Sequence, residues 1–247
     1  MTRRIDAVAV VIPAHDEEEL LGACLDSVAV AVLAAQAVVE RVDVHVVLDA
    51  CTDGSARIAA AAGVPVTAID ARAVGVARAA GIAQALAALP DHDLRRIWTA
   101  HTDADSVVPP NWITHQLVHA RRGADLVIGT VRPDFADLSP EQTAAWWATH
   151  TPGVANGHVH GANLGIRASA LIGVGGFPPA PAHEDVRVAE LIRQAGGRVV
   201  ATDAAWVSTS GRREGRAPEG YARYLQEGLL DRARRIGAPD TREISLL

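Results

Sequence analysis

Short Val-rich runs alternate with longer Ala-rich segments through the first half of the chain, the pattern of βαβ units on a mainly parallel sheet. Residues 6–12 form a Val-rich run of buried-strand type, ended by Pro13. Asp16, with Glu19 three residues on, has the form of a capping box for the helix behind. A second strand is predicted over 42–48, and Ser55 is placed to cap a short helix ending at Gly63. A third strand over 64–69, a helix over 74–89 and a fourth strand over 95–100 continue the alternation. Next come a helix over 112–122 capped by Asn111, a strand over 125–131, and a helix start at Ser139-Pro140-Glu141-Gln142. A helix over 184–195 is stopped by Gly196-Gly197, and short strands over 198–202 and 206–209 follow. An amphipathic helix over 218–236 comes last, able to pack on a partner or on its own sheet. The apolar run at 28–39 is too short to span a bilayer and predicts a core-facing helix.

Composition narrows this picture. At 49% hydrophobic residues, a chain of 247 can bury a sizeable core. A net charge of −6 argues against a general nucleic-acid binder, which carries a basic excess. Cys24 and Cys51 make no disulfide framework, which points to a reducing cytoplasm. The apolar run behind Met1-Thr2-Arg3-Arg4 is too short for a secretory leader. Peripheral membrane contact stays compatible with this composition, and oligomeric state is not legible. With no repeat, low-complexity stretch or linker, a single domain over 1–247 is expected.

Four polar clusters sit at strand ends or helix starts. Asp103 and Asp105 stand two apart after the run that ends at Ala100. On a strand, residues i and i+2 share a side, and open α/β sheets bind ligands at their carboxyl ends. Paired hard oxygens suit Mg²⁺ or Mn²⁺, and a divalent ion suits a diphosphate. The other clusters are Pro13-Ala14-His15-Asp16-Glu17, the stretch from Asp49 to Ser55, and Glu184-Asp185. Gly211-Arg212-Arg213-Glu214-Gly215-Arg216 adds guanidinium forks that match phosphate oxygens, with Arg212 and Arg216 as the candidate diphosphate contacts.

In order and spacing, Val11-Ile12-Pro13-Ala14-His15-Asp16-Glu17, Asp49-x-x-Thr52-Asp53-Gly54-Ser55, Asp103-Ala104-Asp105 and Glu184-Asp185 resemble a family 2 glycosyltransferase. His160-Gly161-Ala162-Asn163-Leu164-Gly165-Ile166-Arg167 resembles the loop before that family's acidic helix. The resemblance covers roughly residues 5 to 215. It implies a GT-A fold: an α/β domain with a mainly parallel central sheet flanked by helices. Residues 5–105 would form a Rossmann-like nucleotide-sugar half, 106–215 an acceptor-binding and catalytic half, and 216–247 a C-terminal helix.

The implied activity is transfer of a sugar from a UDP- or GDP-sugar to an acceptor hydroxyl, assisted by Mn²⁺ or Mg²⁺. Pro13, Ala14 and Glu17 would line the base and ribose, and Asp49 would sit against them, while Asp53 fixes its own turn. Arg78 matches a basic position bordering the nucleotide. Asp103 would contact ribose or metal, and Asp105 would hold the metal. Asp185 would be the base of an inverting reaction, oriented by Glu184. His160, Gly161, Ala162 and Asn163 would line the site of a small-molecule or lipid-linked acceptor. Trp146 and Trp147 are further candidates for stacking on a sugar or acceptor.

Two family features are missing: a late histidine ligand near Ser208-Thr209-Ser210-Gly211, and the Gln-x-x-Arg-Trp signature of processive synthases. The second absence favours transfer of a single sugar. Two other readings share the acidic motifs: a nucleotide-sugar-binding module without turnover, and a GT-A-like nucleotidyltransferase. The latter is disfavoured because no glycine-rich basic loop follows the first strand. His158-x-His160, with His150 and His183 nearby, has metal-ligand spacing but lacks the glutamate-bearing helix of a zinc hydrolase.

Overall fold

The computed structural model describes residues 4–180, 182–215 and 220–237. Its strands are β1 (Ala7–Ala14), β2 (Arg41–Asp49), β3 (Val66–Ile69), β4 (Ile97–His101), β5 (Ser106–Val107), β6 (Leu126–Pro133), β7 (Leu164–Arg167) and β8 (Val199–Thr209). They form one sheet in the order β3-β2-β1-β4-β7-β6-β8-β5. Strands β7 and β5 run antiparallel to their neighbours, and the other pairings are parallel. The helices are α1 (Leu21–Gln36), α2 (Ser55–Ala61), α3 (Val74–Ala87), α4 (Trp112–Arg121), α5 (Pro140–Thr149), α6 (Ala168–Gly173), α7 (Glu184–Gln194), α8 (Tyr221–Arg223) and α9 (Leu229–Gly237). A π-helical turn, Tyr224–Gly228, joins the last two.

Every residue of β1 is buried, because helices cover both sides of this central strand. Its alternation divides the core: Val8, Val10 and Ile12 join the cluster under α1 and α4. Ala9 and Val11 join the one under α3 and α7. Helix α3 lies unusually close to the sheet at Gly81, where an added Cβ would meet Val11 Cγ1 at 2.5 Å and Val47 Cγ2 at 2.9 Å.

Several expected boundaries change for identifiable reasons. No capping box forms at Asp16, since α1 starts at Leu21 without a side-chain cap. Asp16 instead takes a left-handed backbone (φ 51°) and accepts the Thr52 N–H at 2.7 Å. Ser55 lies inside α2, not before it, and its buried hydroxyl accepts the Glu17 N–H at 2.9 Å. The cap at Ser139 forms as a full capping box with Gln142. The two short strands after Gly197 are one, β8, with its irregularity opposite Gly129 and Val131. Helix α1 faces the core with one side only: Val30 and Leu33 on its other side are 49% and 69% exposed. The final helix was expected from residue 218, which lies outside the described residues; the described part begins at Tyr221 and contains the π turn.

Strict packing at Gly81 predicts that Gly81→Ala lowers stability by about 1–3 kcal/mol through overpacking. Gly22→Ala on α1, where the nearest atom is 4.0 Å away, should be neutral or stabilise by up to about 1 kcal/mol. Urea unfolding midpoints of the two variants check the contrast.

Candidate active site

At the carboxyl ends of β1, β2 and β4 lies a cavity of about 580 Å³. One wall is a pair of interlocked turns. Asp53 accepts the Ser55 N–H with Oδ1 (2.9 Å) and the Glu18 N–H with Oδ2 (2.8 Å), so it fixes its own turn and the one after β1 together. Glu18 accepts the Gly54 N–H in return at 2.7 Å. Pro13, Ala14 and Glu17 are thereby presented to the cavity. Asp49 also lines it, but its carboxylate accepts the amides of Ala71, Arg72 and Ala73 at 2.7–2.9 Å. Its oxygens staple the loop that leads into α3.

The acidic pair sits beyond β4, which stops at His101, so strand alternation is not what brings the two together. A turn closed by the Ser106 N–H on the Asp103 carbonyl at 3.1 Å does so. Thr209 Oγ1 (3.0 Å) and Ser106 Oγ (3.3 Å) donate to Asp105 Oδ1, held there by the β5–β8 pairing of Ser106 with Thr209. Oδ2 faces Arg212 Nη2 at 3.0 Å. Burial and the neighbouring Asp103 charge push the Asp105 carboxyl up to about 6. Arg212 also forks onto Glu17, with contacts of 2.8 and 2.6 Å.

Arg78 is wholly buried, which a lone basic residue on an Ala-rich helix did not announce. Its Nε donates to Glu184 Oε1 at 2.9 Å and its Nη2 to Asp103 Oδ1 at 2.5 Å, while Nη1 has no hydrogen-bond partner. It thus joins the acidic turn to the start of α7. Burial raises the Glu184 carboxyl and Arg78 partly opposes that. Asp185 Oδ2 accepts the Gly161 N–H at 2.6 Å. Gly161 itself allows no side chain, since a Cβ would meet Arg78 Nη2 at 2.2 Å.

His160, Gly161 and Ala162 line the cavity, together with Tyr221 and Tyr224. The Tyr221 ring meets His160 edge-on at 5.2 Å between centroids. Sequence reasoning missed both tyrosines, although they are the only two in the chain and stand three apart on one helix. Asn163 is a correction: it does not line the cavity. Its side chain accepts the Trp112 Nε1–H and donates to the carbonyls of Thr130 and Ala205, so it ties β6 to β8. Trp146 is buried under the C-terminal helix and Trp147 is exposed outside the cavity. Arg216 lies outside the described residues. Among the described residues, convergent metal-ligand atoms occur not at the histidines but at Asp16, Cys51 and Asp53. The turn hydrogen bonds of those two aspartates account for that grouping.

Among the described residues, six acids and three arginines line the cavity. That excess of hard oxygen is of the kind a divalent cation could use.

This is the architecture of a GT-A glycosyltransferase. The chain belongs to glycosyl transferase family 2, whose model matches residues 9–171. No curated protein matches the sequence. Among solved structures, S. aureus TarS 1–349 in complex with UDP-GlcNAc superposes with a TM-score of 0.63 at 13% identity, covering 93% of this chain and 70% of that one. The mannosyltransferase PcManGT from Pyrobaculum calidifontis, in complex with GDP-Man and Mn²⁺, gives 0.61 at 19% identity, covering 93% and 73%. Glucosyl-3-phosphoglycerate synthase from Mycobacterium tuberculosis, in complex with phosphoglyceric acid, gives 0.55 at 16% identity, covering 96% and 82%. At such identities the likeness establishes the fold. The chain spans 60% of another TarS 1–349 structure and 36% of a longer TarS chain.

His101, buried beneath the site, gives a pH test. Burial first, then the Arg78 charge, hold its imidazole well below the ordinary 6.5. The unfolded chain therefore takes up a proton below about 6.5 that the folded chain refuses. The stability from neutral His101 is present above that pH and lost as pH falls. The gap between wild type and His101→Gln should shrink by up to about 1.4 kcal/mol per pH unit below pH 6, read from unfolding midpoints.

Proposed function

We propose that this protein transfers one sugar from a UDP- or GDP-sugar to an acceptor hydroxyl, with Mn²⁺ or Mg²⁺ on Asp105 and Asp103 and with Asp185 as the base. The observation that carries this reading is one cavity lined by Asp103, Asp105 and Asp185, in which Arg78 joins the acidic turn to the start of α7. Structural neighbours solved with UDP-GlcNAc, with GDP-Man and Mn²⁺, and with phosphoglyceric acid support it by fold.

Pro13, Ala14 and Glu17 form the bed for the base and ribose, with Asp49 keeping the facing loop in place. Asp105 and Asp103 would hold the cation, which would supply Lewis-acid neutralisation of the charge on the leaving diphosphate. Arg212 contributes a fork to the same phosphates. The Gly161 N–H holds one oxygen of Asp185, and the carboxylate takes the proton of the acceptor hydroxyl as that oxygen attacks the anomeric carbon. Attack from the face opposite the leaving group inverts the centre. Glu184 is anchored by Arg78 and keeps the start of α7 in register with the acidic turn. His160, Ala162 and Tyr221 offer a wall of ring edges and methyl groups to a small or lipid-linked acceptor. The reading places the protein in the cytoplasm, without nucleic-acid partners; among the described residues no helix is long and apolar enough to cross a membrane.

Asp185→Asn should lower transfer by about 10²–10⁴-fold while Mn²⁺-dependent stabilisation by UDP or GDP persists. Asp105→Asn should lose that stabilisation. At about 100 times its Kd, the bound nucleotide adds about 2.7 kcal/mol to the wild type. Thermal melts with each nucleotide, and transfer assays with the matching nucleotide sugars, check both expectations. Full transfer by Asp185→Asn would remove the base assignment.

A further inference from the structure

Arg212 and a divalent cation require the same atom. Asp105 Oδ1 is taken by Thr209 Oγ1 (3.0 Å) and Ser106 Oγ (3.3 Å), so Oδ2 is the oxygen left for a cation, and Arg212 Nη2 holds it at 3.0 Å. The Arg212 side chain is three-quarters buried, and its hydrogen bonds go to Glu17 as a two-point fork of 2.6 and 2.8 Å. A doubly charged ion and a guanidinium sharing one carboxylate oxygen repel each other across a site with little water to screen them. The same fork fits two phosphate oxygens as well as it fits Glu17.

The backbone allows this change of partner to be made by the side chain. Up to Gly211 the segment after β8 is fixed: the Ser210 N–H bonds the Asp105 carbonyl at 3.1 Å and the Gly211 N–H bonds Asp137 at 2.8 Å. Gly211 is also packed so closely that a Cβ would meet the Asp134 carbonyl at 2.8 Å. Beyond it, Arg213, Glu214 and Gly215 are exposed. Arg212 is therefore the first side chain past an anchored point and reaches back into the cavity.

We propose that Arg212 is an exchangeable counter-ion: it neutralises Asp105 and Glu17 until a nucleoside diphosphate arrives with its divalent cation, then yields Asp105 to the cation and moves its fork to the diphosphate. This rests on the donor site proposed above. The exchange makes metal and nucleotide bind cooperatively, because each supplies what the other displaces. The divalent ion alone binds poorly, since it must evict Arg212 into a site with no anion to receive it.

The test is Mn²⁺ binding, read from the free-ion electron paramagnetic resonance signal, with and without UDP or GDP. Arg212→Gln should bind Mn²⁺ alone about tenfold more tightly than wild type. In saturating Mn²⁺ it should bind the nucleotide about tenfold more weakly, with coupling changes of the size such linkage commonly reaches. Arg212→Lys keeps the charge without the fork, so its Mn²⁺ affinity should stay near wild type while nucleotide affinity falls. Melting curves confirm that both variants are folded. Equal or weaker Mn²⁺ binding by Arg212→Gln overturns the exchange, as does Mn²⁺ binding by neither protein. Tighter Mn²⁺ binding by Arg212→Gln with no nucleotide binding by wild type supports the competition and removes the donor reading instead.

Discussion

Buried Arg78 ties the acidic turn after β4 to the start of α7. Arg78 has almost no access to water, so the cost of taking its charge out of solvent must be met by partners. Those partners are Glu184 and Asp103, which come from the start of α7 and from the turn after β4. Removing one member of such a pair typically costs about 3–5 kcal/mol because the other charge is left stranded. The pairing therefore dictates where the acidic turn and the candidate base stand relative to each other. Gly161 is part of the same constraint, since any side chain there would collide with the guanidinium. The Gly161 amide in turn fixes the Asp185 carboxylate.

The two sides of the cavity are held by different means. On the side of β1 and β2 the contacts run from side-chain oxygens to backbone amides: Asp16 to Thr52, Asp53 to Glu18 and Ser55, Asp49 to residues 71–73. Such contacts lock backbone to backbone and make a rigid bed. On the other side Arg212 reaches in from a strand end, and Tyr221 from α8, packed against the cluster that holds Ala145 and Trp146 of α5. These are side chains meeting side chains, able to change partner without disturbing the sheet. A stiff bed facing an adjustable wall suits a site that must admit a ligand and then surround it.

The linear chain carried the βαβ alternation, a buried first strand (expected over 6–12, found as Ala7–Ala14 because Pro13 continues it), the capping box at Ser139 and the four acidic clusters, because each is local. Apolar periodicity and turn chemistry act over a few residues and need no knowledge of the rest. It did not show β7, whose Leu164-Gly165-Ile166-Arg167 is too short to stand out from a loop and exists only because β4 and β6 leave a slot between them. It also misassigned Asn163, since a polar residue beside a glycine-rich loop looks the same whether it faces a ligand or ties two strands.

The sequence by itself therefore determined the class of fold and the acids at its strand ends, since composition and spacing are written residue by residue. Only the tertiary structure decided that Arg78 is a buried bridge, that Asp49 gives its oxygens to a loop, that Tyr221 and Tyr224 line the cavity, and that Arg212 sits on Asp105. Each of these joins residues at least 22 positions apart, and Arg212 meets Glu17 across 195. Partners that distant are selected by burial, charge and shape once the sheet has assembled, and no local pattern encodes them.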